Sequence, residues 1–531
     1  MKKQFACLAL AAAFVSVAPR ARAEIREVGV TGGRVAGVPA GGIVSFKGIP
    51  FAAPPVRSLR WKAPQVVEPW SGVKQASAYG SSCMQDANFA KIFNTSAGIS
   101  EDCLYLNVWT PAKAPGDKLP VMVWIYGGGF VGGMTSVPDY DGTRLAEKGV
   151  VLVSVAYRLG VFGFLADPEL SREAKTSGNY GLEDMIAGLQ WVKANIAKFG
   201  GDPSRVTIFG ESAGGYAVSM LAASPGAKGL FQRAISESGG NFGPARVGNE
   251  AGVNMVTLKS AEVSGHAFLA KLGANDIKAA RTLDAEKIQA ALGPGLQGGF
   301  WPVFDGNILP SDQYELYQAG RFNDTPVLIG TNSDEGALFA QPGMTKARFE
   351  SQIQEGYGKQ ADAILKAYPH ATDAEAAQSA MDIFRESAFA WPTWAWAMLQ
   401  SQKGHGKAFV YYFDHRTPQS PPNGATHGSE IVYVFHNLGG TLLGTNVKMQ
   451  VRPEDVAMAD LMSNFWTNFA KSADPNGKGL PAWPAFNAAD QRVMFFDAHS
   501  SARPAPNMTQ IKAFDAYYAW RREEARAKRA N

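Results

Sequence analysis

The feature that most constrains this chain is a series of short, uninterrupted apolar segments separated by helical stretches. Val121–Tyr126 runs straight into Gly127–Gly129, and Val150–Ala156 is β-branched and continuous. Neither alternates polar with apolar residues. Such segments suit strands buried on both faces, the environment of a parallel sheet between helical layers. Arg205–Phe209, Arg233–Ser236, Pro326–Ile329 and Ala408–Phe413 are further strand candidates. From Asn179 to Phe199, Leu182, Met185, Ile186, Leu189, Val192 and Ile196 recur at three- and four-residue spacing, the pattern of an amphipathic helix. This alternation predicts an α/β fold with a mostly parallel sheet. Two helix-rich stretches, roughly residues 241–324 and 340–406, are expected as insertions over the carboxyl edge of the sheet. The Gly- and Pro-rich region before Leu119 is expected to form a small antiparallel addition. No internal repeat or long linker interrupts the pattern, so residues 24–531 are expected to form a single domain.

Residues 1–23 stand apart. Lys2 and Lys3 precede the apolar run Leu8–Val17, and Ala21-Arg22-Ala23 is an A-x-A cleavage pattern. These are the parts of a secretory signal peptide, and the apolar run is too short to span a bilayer. The whole chain has 51 basic and 47 acidic residues. Lys2, Lys3, Arg20 and Arg22 leave with the leader, so the product has 47 of each sign and no charge excess to attract nucleic acid. A secreted or periplasmic protein without a membrane span is expected. Cys7 leaves with the leader too. Cys83 and Cys103 remain, an even pair in an oxidising compartment, and are expected to form a disulfide. Closing that loop would contribute about 3 kcal/mol in the chain-entropy description.

The chemistry centres on Gly210-Glu211-Ser212-Ala213-Gly214, a G-x-S-x-G sequence between a predicted strand and an Ala-rich helix. In that context the glycines permit a strained turn that exposes the serine oxygen at the strand's carboxyl end. A serine hydroxyl needs a base, and in this arrangement the chain order is serine, acid, histidine. All seven histidines follow Ser212. His427, in the Gly-flanked loop Gly424–Gly428, and His415, just past Ala408–Phe413, are the best placed. His415 lies between Asp414 and Arg416, which favours a surface ion cluster. An acid is offered by Asp334 or Glu335 after the strand Pro326–Ile329; position alone does not separate them, and at least one must be a solvated loop carboxylate. The Gly127–Gly129 backbone and the N–H of Ala213 are candidate donors to a tetrahedral oxyanion. A base of this kind must first lose its proton, which for an ordinary imidazole happens at about pH 6–7.

Several segments together resemble the type-B carboxylesterases, the cholinesterase-like branch of the α/β-hydrolases. They are Phe46–Pro55, Glu101–Trp109, Trp124–Phe130, Asn179–Asp184, Phe199–Pro203 and Phe209–Gly215, collinear over nearly the whole mature chain. The resemblance implies an α/β-hydrolase fold with helical insertions over the active-site edge. It implies a triad of Ser212, Glu335 and His427, with oxyanion donors at Gly128, Gly129 and Ala213. Cys83 and Cys103 match the family's N-terminal disulfide. Glu211 and Ser238 match residues that support the triad through hydrogen bonds.

The activity so implied is ester hydrolysis through an acyl-enzyme on a small-molecule ester. No metal or organic cofactor is expected: there is no His/Cys cluster with ligand spacing, and Gly127–Gly129 is not a dinucleotide fingerprint. An amidase or acyltransferase would use the same acyl-enzyme. A non-catalytic binding protein of the same fold typically lacks the nucleophile, which this chain has. Oligomeric state is not legible. The aromatic stretch Trp391–Trp396 has the spacing of a core-facing helix rather than a site entrance, and Arg521–Arg529 reads as a solvated helix end.

Cholinesterases of this family hold a quaternary ammonium against a tryptophan in the loop closed by the N-terminal disulfide, a contact worth up to ~2 kcal/mol. Residues 83–103 contain no tryptophan; Phe89 and Phe93 are weak substitutes, and Lys91 repels a cation placed between them. We therefore expect kcat/KM for a choline ester to fall below that of its neutral tert-butyl-ethyl isostere at low salt. A clear preference for the choline ester would refute this.

Overall fold

The computed structural model describes residues 24–91, 98–246, 250, 252, 255–293, 300–420, 423–441 and 447–530. The expected leader, residues 1–23, lies outside them. Among the described residues the fold is built on an eleven-stranded sheet. In chain order its strands are β1 (Val38–Ala40), β2 (Ile43–Pro50), β3 (Tyr105–Thr110), β4 (Leu119–Ile125), β5 (Val151–Val155), β6 (Gly201–Glu211), β7 (Arg233–Glu237), β8 (Val327–Asn332), β9 (Ala408–Phe413), β10 (Arg492–Phe496) and β11 (Ser501–Pro504). Their spatial order is β11-β10-β9-β8-β7-β6-β4-β5-β3-β2-β1.

Every pairing from β5 to β10 is parallel. The two flanks, β1-β2-β3 against β5 and β11 against β10, are antiparallel. The uninterrupted apolar sequence of β4, β5 and β8 is explained by their burial, which is complete or nearly so along their length. Helices cover both faces, and on these strands only Leu119, at the start of β4, is less than fully buried.

Several expectations need correction. The region before Leu119 is not one antiparallel addition. Glu27–Val30, Gly33–Ala36 and Val73–Gln75 form a small mixed sheet, whereas β1, β2 and β3 extend the main one. Strands β10 and β11, after the last predicted strand, lengthen its other flank. The second expected insertion is divided: helix Trp391–Lys403 packs on β8 and β9 as part of the sheet's own covering layer. Trp391 and Trp396 are buried there, as the core reading of that stretch requires. The basic C-terminal stretch is not simply a solvated end. Helix Met508–Ala530 buries Arg522 against Asp312 at 3.0 Å and pairs Arg521 with Glu250.

The expected disulfide joins Cys83 to Cys103. Beneath it, the loop after β5 is fastened by a buried ion pair. The backbone N–H, Nε and Nη2 of Arg158 all donate to the Asp184 carboxylate, at 2.9, 2.8 and 2.7 Å. Asp184 lies on helix Tyr180–Asn195 and is fully enclosed. Removing one partner strands the other charge in a low-dielectric interior. Asp184→Ala should therefore lower the free energy of unfolding by about 3–5 kcal/mol in urea titrations. A loss below about 1 kcal/mol, the value of an exposed pair, would show that Arg158 finds other solvation.

Candidate active site

β6 ends at Glu211 and helix Ala213–Ala223 begins two residues later, leaving Ser212 alone at the turn. Ser212 has φ 54° and ψ −123°, a conformation non-glycine residues rarely hold. Its N–H donates to the carbonyl of Glu237 on β7 at 2.9 Å, and its carbonyl accepts from Tyr216. The turn is closed so tightly that a Cβ on Gly214 would lie 2.0 Å from the Ile125 carbonyl oxygen. A Cβ on Gly127 would lie 3.0 Å from Cβ of Ser212, so the glycine run after β4 presses directly on the turn. Gly128 and Gly129 both take positive φ in that loop. Ala213 is the first residue of its helix, so its N–H has no intrahelical partner.

Two other loops meet above Ser212. The one after β8 carries Asn332 to Glu335; the one before helix Ile431–Val434 carries Gly424 to Glu430. The N–H of Asp334 donates to the Ala425 carbonyl at 2.9 Å, that of Ala425 to Ser333 Oγ at 2.8 Å, and Asn332 Nδ2 to the Thr426 carbonyl at 2.8 Å. Joined in this way, the loops set His427 between the serine and the acid. His427 Nε2 lies 2.8 Å from Ser212 Oγ, and Nδ1 lies 2.6 Å from Glu335 Oε2. The second Glu335 oxygen accepts from the Asn332 N–H at 2.7 Å.

Of the two candidate acids, then, Glu335 faces the imidazole. Asp334 is also buried, not solvated, and burial raises its carboxyl while the charge of Arg385 lowers it. His415 is likewise buried rather than in a surface cluster: its Nε2 lies 2.7 Å from Asp455, away from Ser212. Glu211 and Ser238 both come to the site. Glu211 Oε1 is 3.2 Å from His427 Nε2 without making a hydrogen bond, so it acts on the ring through its charge. Ser238 Oγ donates to Glu430 Oε1 at 3.3 Å, and Asn332 Nδ2 bonds the other Glu430 oxygen.

Sequence reasoning missed several residues. Glu430 stands three positions after His427, and its spacing was the one available signal. Phe389 stacks on His427 with ring centroids 4.6 Å apart, carried there by the π-helical turn Glu386–Ala390. Phe339 tilts against the same imidazole at 5.3 Å. Trp301 meets Phe130 and Tyr216 beside the Gly127–Gly129 loop. Glu237, opposite Glu211 on the adjacent strand, is fully buried and accepts from Trp466 Nε1 at 2.8 Å. Nothing in a linear pattern brings these residues to the serine. The loop aromatics Phe93 and the side chain of Phe89 lie outside the described residues.

The parallel sheet, its strand order and the strand–serine–helix turn define an α/β-hydrolase. Residues 24–514 match the Carboxylesterase family. The chain is 37% identical to fumonisin B1 esterase of Sphingopyxis macrogoltabida over 479 residues, covering 87% of this chain and 85% of that one. It is 35% identical to para-nitrobenzyl esterase of Bacillus subtilis over 490 residues, covering 89% and 95%. To the cholinesterase of Mus musculus it is 35% identical over 512 residues, covering 88% and 83%. A solved PNB esterase superposes with a TM-score of 0.81 at 33% identity, over 92% of this chain and 99% of that one. The chain belongs to the carboxylesterase family and is a carboxylic-ester hydrolase. No helix among the described residues is long and apolar enough to cross a membrane.

The electrostatics of the site alter one expectation. Burial alone would lower the His427 pKa, but the carboxylates of Glu211 and Glu335 outweigh it and push the imidazole up to about 9. Burial pushes the Glu211 carboxyl up to about 8, against the opposing pull of His427. Only neutral imidazole can take the serine proton, so raising its pKa moves the onset of activity to higher pH. We expect the acid limb of kcat/KM to lie above the ordinary imidazole range of about 6.5, and Glu211→Gln to shift it downward. An acid limb near 6.5 that Glu211→Gln leaves in place would contradict this.

Proposed function

We propose that the chain hydrolyses carboxylic esters through an acyl-enzyme on Ser212. One observation carries the reading: the continuous contact from Ser212 Oγ through His427 to Glu335, at 2.8 and 2.6 Å. Ser212 Oγ attacks the carbonyl carbon as its proton passes to His427 Nε2. The oxygen that gains the electron pair is met by the N–H groups of Gly128, Gly129 and Ala213, which act strongly because the site is water-poor. The C–O bond to the alcohol breaks, and the leaving oxygen takes the proton from His427. Water then repeats the sequence, releasing the acid and restoring Ser212. Glu335 holds Nδ1 protonated and stabilises the imidazolium. Glu211, Glu430 and Ser238 position these groups and tune their charge without touching substrate.

The aromatic side chains Phe130, Trp301 and Phe389 support uncharged esters as substrates. Relatives named for fumonisin B1 and para-nitrobenzyl esters support ester hydrolysis as the reaction. The leader and the disulfide support export to the periplasm or medium as one domain, residues 24–531.

Ser212→Ala should remove nearly all turnover with the fold intact, and an organophosphate should label Ser212 stoichiometrically. Because the triad acts as a unit, Ser212→Ala/His427→Ala should be little worse than either single change. Glu335→Gln should cost on the order of 10³–10⁴ in kcat, far more than Asp334→Asn. Additive losses, or the reverse ranking of the two acids, would overturn these roles.

A further inference from the structure

Five of the seven residues from Gly127 to Gly133 are glycine. Glycine loses the most conformational freedom on folding, so a loop of this composition does not hold one shape by itself. Phe130, buried in the middle of it, takes φ 60°, a strained value that only the surrounding structure can maintain. Inside the loop, the N–H groups of Val131 and Gly132 donate to the Gly128 carbonyl at 3.2 and 3.1 Å. The loop returns on itself at Gly133, where a Cβ would lie 2.4 Å from the Gly127 carbonyl oxygen. That returning end is gripped by Gln85. Gln85 Oε1 accepts from the Gly133 N–H at 3.1 Å, and Nε2 donates to the carbonyls of Gly133 and Cys83 at 2.9 and 3.0 Å. A primary amide carries the donor and acceptor of a peptide group, so it pairs with Gly133 in both directions, as a neighbouring strand would. Only one orientation of the amide meets all three partners. Gln85 is itself 2% exposed and stands two residues after Cys83, which the disulfide ties to Cys103 at the entry to β3.

We propose that Gln85 is a positioning residue for the oxyanion site: it joins the disulfide-closed loop to the glycine loop and so fixes where the N–H groups of Gly128 and Gly129 point. The proposal rests on the roles given above to Ser212 and to those two N–H groups. The path between them is short. A Cβ on Gly128 would lie 2.3 Å from the Gly132 carbonyl oxygen, so Gly132 and Gly133 bear directly on Gly127 and Gly128. A second fastening, from the Gly160 N–H to the Phe130 carbonyl at 2.7 Å, holds the middle of the loop. Without Gln85 the middle stays fastened and the returning end is released, because the N–H and carbonyl of Gly133 lose their partner. Donors aimed slightly off still admit an uncharged ester carbonyl. They stabilise the oxygen less once it gains charge, so the loss falls on the transition state rather than on binding.

Two substitutions test this. Gln85→Met keeps the length of the side chain and loses all three hydrogen bonds; Gln85→Glu keeps an acceptor for Gly133 and loses at least one donor. With p-nitrophenyl acetate each should lower kcat by about 10- to 100-fold while KM stays within about twofold. The acid limb of kcat/KM should not move, because the groups around the imidazole are untouched. Two inhibitors separate positioning from general disorder of the pocket. A trifluoromethyl ketone, which Ser212 attacks to give a hemiketal oxyanion, should lose affinity by the same factor as kcat/KM. The corresponding secondary alcohol, which forms no oxyanion, should bind as it does to the wild type. Circular dichroism and urea titration establish that each variant is folded. A fall in kcat of less than about twofold in a folded variant, equal losses for the two inhibitors, a displaced acid limb, or failure of both variants to fold overturns the proposal. A wild type that binds the ketone no more tightly than the alcohol would instead overturn the oxyanion roles, and absence of Ser212 labelling would overturn the triad.

Discussion

The close approach of helix Ala213–Ala223 to the end of β4 is the contact on which the rest of the site depends. Gly214 lies so near the Ile125 carbonyl that no side chain fits between them. That approach forces the chain to turn within one residue, and the residue at the turn is Ser212, with its unusual φ and ψ. The same approach places the Gly127–Gly129 loop, which continues β4, against the serine. The proposed nucleophile and oxyanion donors are therefore set by a single packing contact between two parallel strands and one helix. Strain of about 1–3 kcal/mol at such a residue persists only where surrounding structure holds it, as the bonds to Glu237 and Tyr216 do here.

Behind the turn, four glutamates share a small buried volume: Glu211, Glu237, Glu335 and Glu430. Burial and mutual repulsion push Glu430 up to about 7, and push Glu237 well above the carboxylate range. At neutral pH they cannot all be ionised, because charges of one sign in a dry interior exclude one another. Glu335 accepts hydrogen bonds at both oxygens, from Asn332 and His427, and so does Glu430, from Ser238 and Asn332. The arrangement surrounds the imidazole with carboxyl groups, of which Glu211 and Glu335 do most to raise its pKa. In this way the interior is organised around the charge on one histidine.

The helical stretches between the strands do different work. The turn Glu386–Ala390 inserts an extra residue into a helical run, and π-turns of this kind often mark functional positions. Here it lays Phe389 on the imidazole, which keeps water from one face of the base. Trp301, from the earlier stretch, packs on Phe130 and Tyr216 beside the Gly127–Gly129 loop. Helix Trp391–Lys403, expected with the insertions, belongs instead to the sheet's covering layer, where Trp391 and Trp396 are buried.

Much of this was legible in sequence because it is local. Uninterrupted apolar runs announce strands covered on both faces, and G-x-S-x-G between a strand and a helix announces the turn that bares a serine. The short flanking strands β10 and β11 escaped notice, since edge segments of four or five residues carry little periodicity. Choosing Glu335 over Asp334 needed the family resemblance, for adjacent carboxylates have the same spacing and differ only in the direction they face. That direction is decided by bonds between loops ninety residues apart, and the burial of Asp334 and His415, the gathering of Glu211, Glu237 and Glu430, and the placing of Phe339 and Phe389 depend on other tertiary contacts. The sequence by itself determined the class of fold and the candidate nucleophile, because both follow from short-range pattern. The tertiary structure alone decided which groups surround the base and so how readily it holds its proton, because charge and desolvation depend on distance in space rather than along the chain.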